Sequence, residues 1–355
     1  MATRRSSGGC NLLECNSPGA NGEGIVAIHS ETRGPTAFFR DAGIVAFYAF
    51  DASGNRTTTD DAHWSWTNYS LTDTRGRKAI GAESALPPFI KESLLASSDR
   101  YYIEYENGWL FGEMPDMQHE HYGDGRAPGY FRFSFSDDRF VSGRKHPLQS
   151  VDDIRQALDQ DLFKPASPAR LFERIMRRFL ERLKLQLSEL SERLDSIEDH
   201  IVGDAWQGES ERLAPVRRQI VASHRYLSIT ANLLRHLEQT HRKEFPEELG
   251  DIVEDLSQRA GALHQEGEQL QARARLLQEE LMAKLAHRSN QLLYVLSVMT
   301  AVLLPSTVIS GFFGMNTAGL PFADERHGFW IVAIFALTIS AIVLLIVRRI
   351  GGPGR

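Results

Sequence analysis

Eight positions, Asn290, Leu293, Ser297, Thr300, Leu304, Thr307, Gly311 and Gly314, step by three and four residues and so share one helical face. They gather most of the hydroxyl, amide and glycine residues of an otherwise apolar run, Leu292 to Phe313. A face turned to lipid gains nothing from such groups. A face turned to water gains a line of neutral oxygens able to touch a hydrated cation. Small and hydroxyl residues also occur where helices pack within membranes, so helix contact is the competing reading. One helix cannot enclose a pore, so the pore reading requires several copies of the chain. Gly311, Gly314 and Asn316 at the outer end suggest a tight turn exposing one amide carbonyl per subunit. A ring of such carbonyls is neutral and hard, suited to a divalent cation held through its water shell.

The elements that must position this line are two. The run from Leu292 to Phe313 has 22 residues and that from Phe329 to Val347 has 19, both uncharged. As helices they reach roughly 33 and 28 Å, about the thickness of a bilayer's hydrocarbon core. Lys284, His287 and Arg288 precede the first, and Arg348, Arg349 and Arg355 follow the second. By the positive-inside rule both ends face the cytoplasm and the short loop faces out. No signal peptide precedes the long N-terminal region, which is expected in the cytoplasm. Asp324 and Glu325 in the loop are candidates for an outer ring that attracts cations, though a merely solvated loop explains them equally well.

Four segments are expected: a disordered tail (1–23), a cytoplasmic α/β domain (24–165), a helical stalk (166–290) and two membrane helices (291–355). In the α/β domain, strands are read at Ile25–Ile28, Gly43–Phe50, Tyr101–Tyr105, Trp109–Phe111 and Tyr130–Phe135. A short helix is read at Leu86–Ala96, and Asn107-Gly108 signals a hairpin. After a short helix opening near Ser150, a long one runs from about Pro168 to Val202, a second from Glu209 to about Arg242, and a third starts near Glu247. Leu256, Ala260, Leu263, Gly267, Leu270, Ala274, Leu277 and Leu281 form an unbroken heptad stripe in the third. No breaker separates it from the apolar run, so one helix is expected from Glu247 to Phe313, with Pro305 bending it. Upstream, Gln265, Gln269 and Glu279 extend the polar face.

Charge and motifs narrow the function classes. A net charge of −6 argues against nucleic acid and suits a surface that gathers cations. Cys10 and Cys15 read as spare thiols in the tail. His119 and His121 flank Glu120 amid turn-forming residues, a weak candidate for a regulatory or entry metal site, as is Glu279. Arg174, Arg177, Arg178 and Arg182 read as a solvated helix face offset by Glu173 and Glu181. There is no phosphate loop, nucleophile elbow or pair of catalytic acids, so neither an enzyme nor ATP coupling is supported, and no cofactor is expected.

Gly314-Met315-Asn316 closing the first of two C-terminal membrane helices resembles the signature of the CorA superfamily of divalent-cation transporters. The stretch Gly314 to Asp324 is more similar to the zinc-transporting ZntB branch than to the magnesium branch, since Thr317 and Leu320-Pro321-Phe322 replace the latter's loop. Leu213 to Gln219, His224 to Leu227 and Leu71 to Arg77 also resemble the zinc branch, whereas Met315 is the magnesium-type residue. The resemblance implies an α+β membrane protein: a cytoplasmic α/β domain and a helical stalk continuing into the first membrane helix, assembled as a funnel-shaped homopentamer. It further implies Asn316 as the selectivity residue. Leu293, Leu296, Thr300, Leu304 and Thr307 would line the pore, with the leucines as its apolar constriction. The expected function is passage of hydrated Zn²⁺ across the cytoplasmic membrane, with protons as candidate co-substrates. A magnesium channel and a membrane-tethered coiled-coil sensor are the alternatives.

Overall fold

The computed structural model describes residues 43–97, 100–119, 128–203, 207–315 and 327–350. Six strands, β1 (Ile44–Phe50), β2 (Trp64–Ser70), β3 (Tyr102–Glu106), β4 (Trp109–Met117), β5 (Pro128–Phe135) and β6 (Arg139–Arg144), make one sheet in the order β1-β2-β6-β5-β4-β3. Only β2 and β6 run parallel; the other neighbours are antiparallel. The turn between β3 and β4 has Asn107 at φ 50° and Gly108 at φ 81°, the left-handed pair that an Asn-Gly hairpin supplies.

The strands alternate, and both faces of the sheet are covered. Phe131, Phe133 and Phe135 of β5 point to one side with Trp64 and Trp66, onto Phe172 and the long helices. Tyr69, Phe111 and Val141 point to the other, against α1 (Thr74–Ala82) and α2 (Pro88–Leu95), which contribute Ile80, Ile90 and Leu94. Arg132, between two of those phenylalanines, therefore also faces α2. Its guanidinium donates to Glu113 of β4 (3.0 Å) and to the Leu94 and Ala96 carbonyls at the end of α2 (3.4 and 2.5 Å).

The helical part follows: α3 (Gln149–Asp159), α4 (Pro168–Val202), α5 (Glu209–His241), α6 (Glu247–Phe313) and α7 (Gly328–Ile350). Every heptad position on α6 except Leu263 is buried, and Leu263 is half-buried, in one apolar cluster with α4, α5 and the sheet. That burial, not intrinsic propensity, holds so long a helix. At its far end Lys284 donates to the Ile201 carbonyl (2.5 Å), tying the tip of α4 to the root of the apolar segment.

Several expectations need correction. β2, β6 and α1 went unread, and β4 runs on through Pro115 and Asp116, which read as loop. Of the α4 arginines read as a solvated face, Arg174 is exposed as expected, but the other three reach across to neighbouring helices. Arg178 and Arg182 both converge on Asp153 of α3 (2.7 and 2.5 Å), and Arg177 joins Glu173 (2.7 Å) to Asp255 of α6 (2.9 Å). They are clasps between helices. The strand read at Ile25–Ile28 and the tail with its cysteines lie outside the described residues.

Candidate pore face

α6 and α7 are long and apolar enough to cross a membrane. They meet along one face of α6, where Val298, Ala301, Val302, Pro305, Ser306 and Ile309 are half-buried. A polar clasp marks that seam: Ser340 of α7 shares a hydrogen bond with Ser306 (Oγ–Oγ 2.7 Å) and donates to the Val302 carbonyl (2.9 Å). Sequence reading missed this pair, because serines in an apolar helix do not say which neighbour they face.

The seam fixes the direction of the polar line. At about 100° per residue, Leu293, Ser297, Thr300, Leu304, Thr307 and Gly311 lie about 140–180° around the helix from Val302. Asn290, Leu296 and Gly314 lie about 120° from it. All nine are exposed in the single chain. α7 thus packs on the back of α6 and leaves the polar line free. Contact with α7 does not account for that line.

Two of the hydroxyls on this face, Thr300 and Thr307, have a set polarity. Thr300 Oγ1 donates to the Leu296 carbonyl and Thr307 Oγ1 to the Leu303 carbonyl, each at 2.9 Å. With the proton turned into the helix, each oxygen offers only acceptor lone pairs outward. Two acceptor levels therefore stand about 10 Å apart along the axis, with Leu304 between them. Such a face suits cations and the hydrogens of their water shells, and it repels anions.

At the outer end, Gly311 lies inside α6 rather than in a turn. The helix stops at Phe313, with Gly314 as its cap at φ −81°, an ordinary right-handed conformation. Met315 is half-exposed beyond it. Asn316, Asp324 and Glu325 lie outside the described residues. Upstream, Gln265, Gln269 and Glu279 are all exposed on α6, so the polar character of this surface continues below the apolar segment.

The weaker metal candidates fare differently. His119 follows β4 at the edge of a cavity of about 380 Å³ lined also by Arg144, Pro147, Asp152, Arg155, Gln156 and Asp159. Asp152, the carboxylate beside it, already receives Arg144 (2.6 and 2.7 Å), Arg155 (2.9 Å) and His119 itself (3.4 Å). Little capacity is left there for a cation. His121 lies outside the described residues, and Glu279 stands on α6 far along the chain from both. Among the described residues no group of three or more His, Cys, Asp or Glu side chains is arranged to hold a metal ion.

A sheet domain, a helix shared between soluble core and membrane segment, and a second helix behind it describe a known class. The chain belongs to the family of CorA-like Mg²⁺ transporter proteins, whose sequence profile matches residues 61–349. Among individual relatives, the divalent cation transporter CmaX of Pseudomonas aeruginosa is 25% identical over 213 residues, 60% of this chain and 64% of that protein. The zinc transport protein ZntB of Yersinia pseudotuberculosis is 21% identical over 282 residues, 79% of this chain and 84% of that one. The first curated relatives are thus matched over a little under two thirds of their own length. In fold, full-length CmaX superimposes with a TM-score of 0.71 at 20% identity, covering 87% of this chain and 98% of that one. The CorA magnesium transporter from Methanocaldococcus jannaschii gives 0.70 at 16% identity, covering 86% and 98%.

Proposed function

We propose that this chain carries a divalent cation, Zn²⁺ before Mg²⁺, across the cytoplasmic membrane through a pore on the axis of a homopentamer. Both chain ends face the cytoplasm. On this reading, residues 24–165 and 166–290 form the cytoplasmic funnel and 291–355 the membrane part. The observation that carries it is the free polar line of α6, turned away from α7, with Thr300 and Thr307 presenting acceptors only. Asn290, Leu293, Leu296, Ser297, Thr300, Leu304, Thr307 and Gly311 line the path, and Gly314, Met315 and Asn316 select at its mouth. Asp324 and Glu325 concentrate cations outside. The ion travels with water, because the line offers hydroxyls and carbonyls and no thiolate or imidazole to strip a borderline ion.

The names of the zinc transport relatives favour Zn²⁺, and Met315 favours Mg²⁺. Flux into proteoliposomes of the purified protein, with zinc- and magnesium-sensitive dyes and with or without a pH gradient, tests the proposal. Zinc entry that Asn316→Ala abolishes supports it, and a response to the gradient adds proton coupling. Magnesium entry alone moves the assignment to the second reading. No flux of either ion, or flux indifferent to Asn316→Ala, overturns the pore and leaves a membrane-tethered sensor.

A further inference from the structure

The hairpin of α5 and α6 holds a pair of imidazoles that the pore does not use. His224 lies 17 residues before the end of α5 at His241, and His264 lies 17 residues after the start of α6 at Glu247. The hairpin therefore sets them opposite each other, with ring centroids 4.9 Å apart and planes tilted by 32°. Gly267, one turn along α6 from His264, lies beside the pair. A methyl group there would already stand 3.4 Å from Leu227 and 3.7 Å from the His224 ring.

Each ring turns one nitrogen into the protein. His224 Nε2 and His264 Nδ1 are both shielded from solvent, and neither finds a hydrogen-bond partner among the described residues. Other shielded polar atoms in this chain, such as Trp64 Nε1 and Thr230 Oγ1, also stand alone among the described residues, so the weight lies on two such atoms sharing a pair of adjacent rings. Two of them on facing imidazoles fit one reason better than two separate accidents. A Zn–N bond of about 2.0–2.1 Å puts a ring centroid about 3.2 Å from the ion, so two rings at the tetrahedral angle stand about 5.2 Å apart. The observed 4.9 Å is close to that spacing.

We propose that His224 and His264 form a two-imidazole binding site for one zinc-class dication, clamping α5 to α6. Glu268, a turn on from His264, adds negative charge within reach of His224. Two protein nitrogens are fewer than the four ligands of a structural zinc site, which makes the ion exchangeable rather than structural. Imidazole pairs take Zn²⁺, Ni²⁺, Co²⁺ or Cu²⁺, whereas Mg²⁺ prefers oxygen. His264 precedes the apolar run by 28 residues on the same helix, about 42 Å. An ion here would therefore stiffen the base of the pore helix. That regulatory meaning rests on the proposed transport function; the binding itself does not.

The test is Zn²⁺ titration of the purified full-length protein against a chromophoric chelator, with Mg²⁺ as control. Asn316→Ala serves as the background, so that pore binding and this site are told apart. One equivalent per subunit is expected, weakened by about tenfold or more in His224→Gln and in His264→Gln. Copper-loaded wild-type protein should show coupling to two imidazole nitrogens by electron paramagnetic resonance, a readout that needs no variant to fold. Unchanged zinc affinity in both histidine variants, or a copper spectrum without paired nitrogens, overturns the proposal. Failure of flux in the proteoliposome assay with this binding intact bears only on the pore.

Discussion

Removing the Glu113 carboxylate should severely destabilise the sheet domain. Glu113 and Arg132 are register partners on β4 and β5, 1% and 2% exposed, and Arg132 Nε lies 3.0 Å from the carboxylate. Glu113→Ala takes the Glu113 carboxylate away from a buried guanidinium, and breaking a buried pair in this way costs about 3–5 kcal/mol. A domain of this size loses about 2–4 °C in midpoint per kcal/mol, so a drop of roughly 10 °C is expected. The reporters are Trp64 and Trp66, 2% and 0% exposed, whose fluorescence changes when the sheet opens. The double variant Glu113→Leu with Arg132→Met removes both charges at similar volume. It should recover most of the loss, retaining about 1–2 kcal/mol because the Leu94 and Ala96 carbonyls lose their donor. A shift below about 2 °C for Glu113→Ala would refute the reasoning. So would a double variant as unstable as the single one.

Three further outcomes are expected. Burial pushes the Asp116 carboxyl up to about 6, against hydrogen bonds from Ser150 and Met117. A folded value above the unfolded one, about 3.9, means stability that is complete below pH ~4 and is given up as pH rises towards 6. Asp116→Asn should remove that slope in thermal unfolding compared between pH 4.5 and 6.5. Ser306→Cys with Ser340→Cys should crosslink within one subunit under mild oxidation, read by peptide mapping, since the two Oγ atoms are 2.7 Å apart. A failure to crosslink would mean that α7 does not pack on this face. Gly267→Ala should be neutral or stabilising by up to about 1 kcal/mol, because a methyl group fits at ordinary contact distance and alanine favours helix. Gly267→Leu should lower the unfolding midpoint by overpacking the Leu227 side chain.

The long helices were legible because their signals are local. The α6 heptad, Ser167 and Pro168 at the start of α4, and Pro246 before α6 each act through neighbouring residues. The central strands were harder. β2 alternates over Trp64-Ser65-Trp66-Thr67, but the run is short, and the polar Asn68 then takes the tryptophans' buried face and breaks the pattern. β6 is short, carries Gly143 and has arginine at both ends. Gly76 and Gly81 dilute the helical signal of α1, and only its cap, Asp73 accepting from the Arg75 amide, announces it. Arg178 and Arg182 looked solvated because their partner, Asp153, sits on another helix. The polar line in α6 was visible as a periodicity. Its direction was not, since that depends on where α7 lies.

Because α6 belongs to two environments at once, any coupling between them has one continuous helix to travel through. Leu256, Ala260, Leu270 and Leu281 are buried in the same cluster as the sheet's phenylalanines, and Thr300 and Thr307 sit further along the same rod. Linkage is reciprocal: whatever the soluble core does to the occupancy of the distal segment, occupancy there must do to the core, by the same free energy. A cation residing beside Thr307 would then leave a thermodynamic imprint on amide exchange at Leu256, some fifty residues away and on the far side of the membrane boundary.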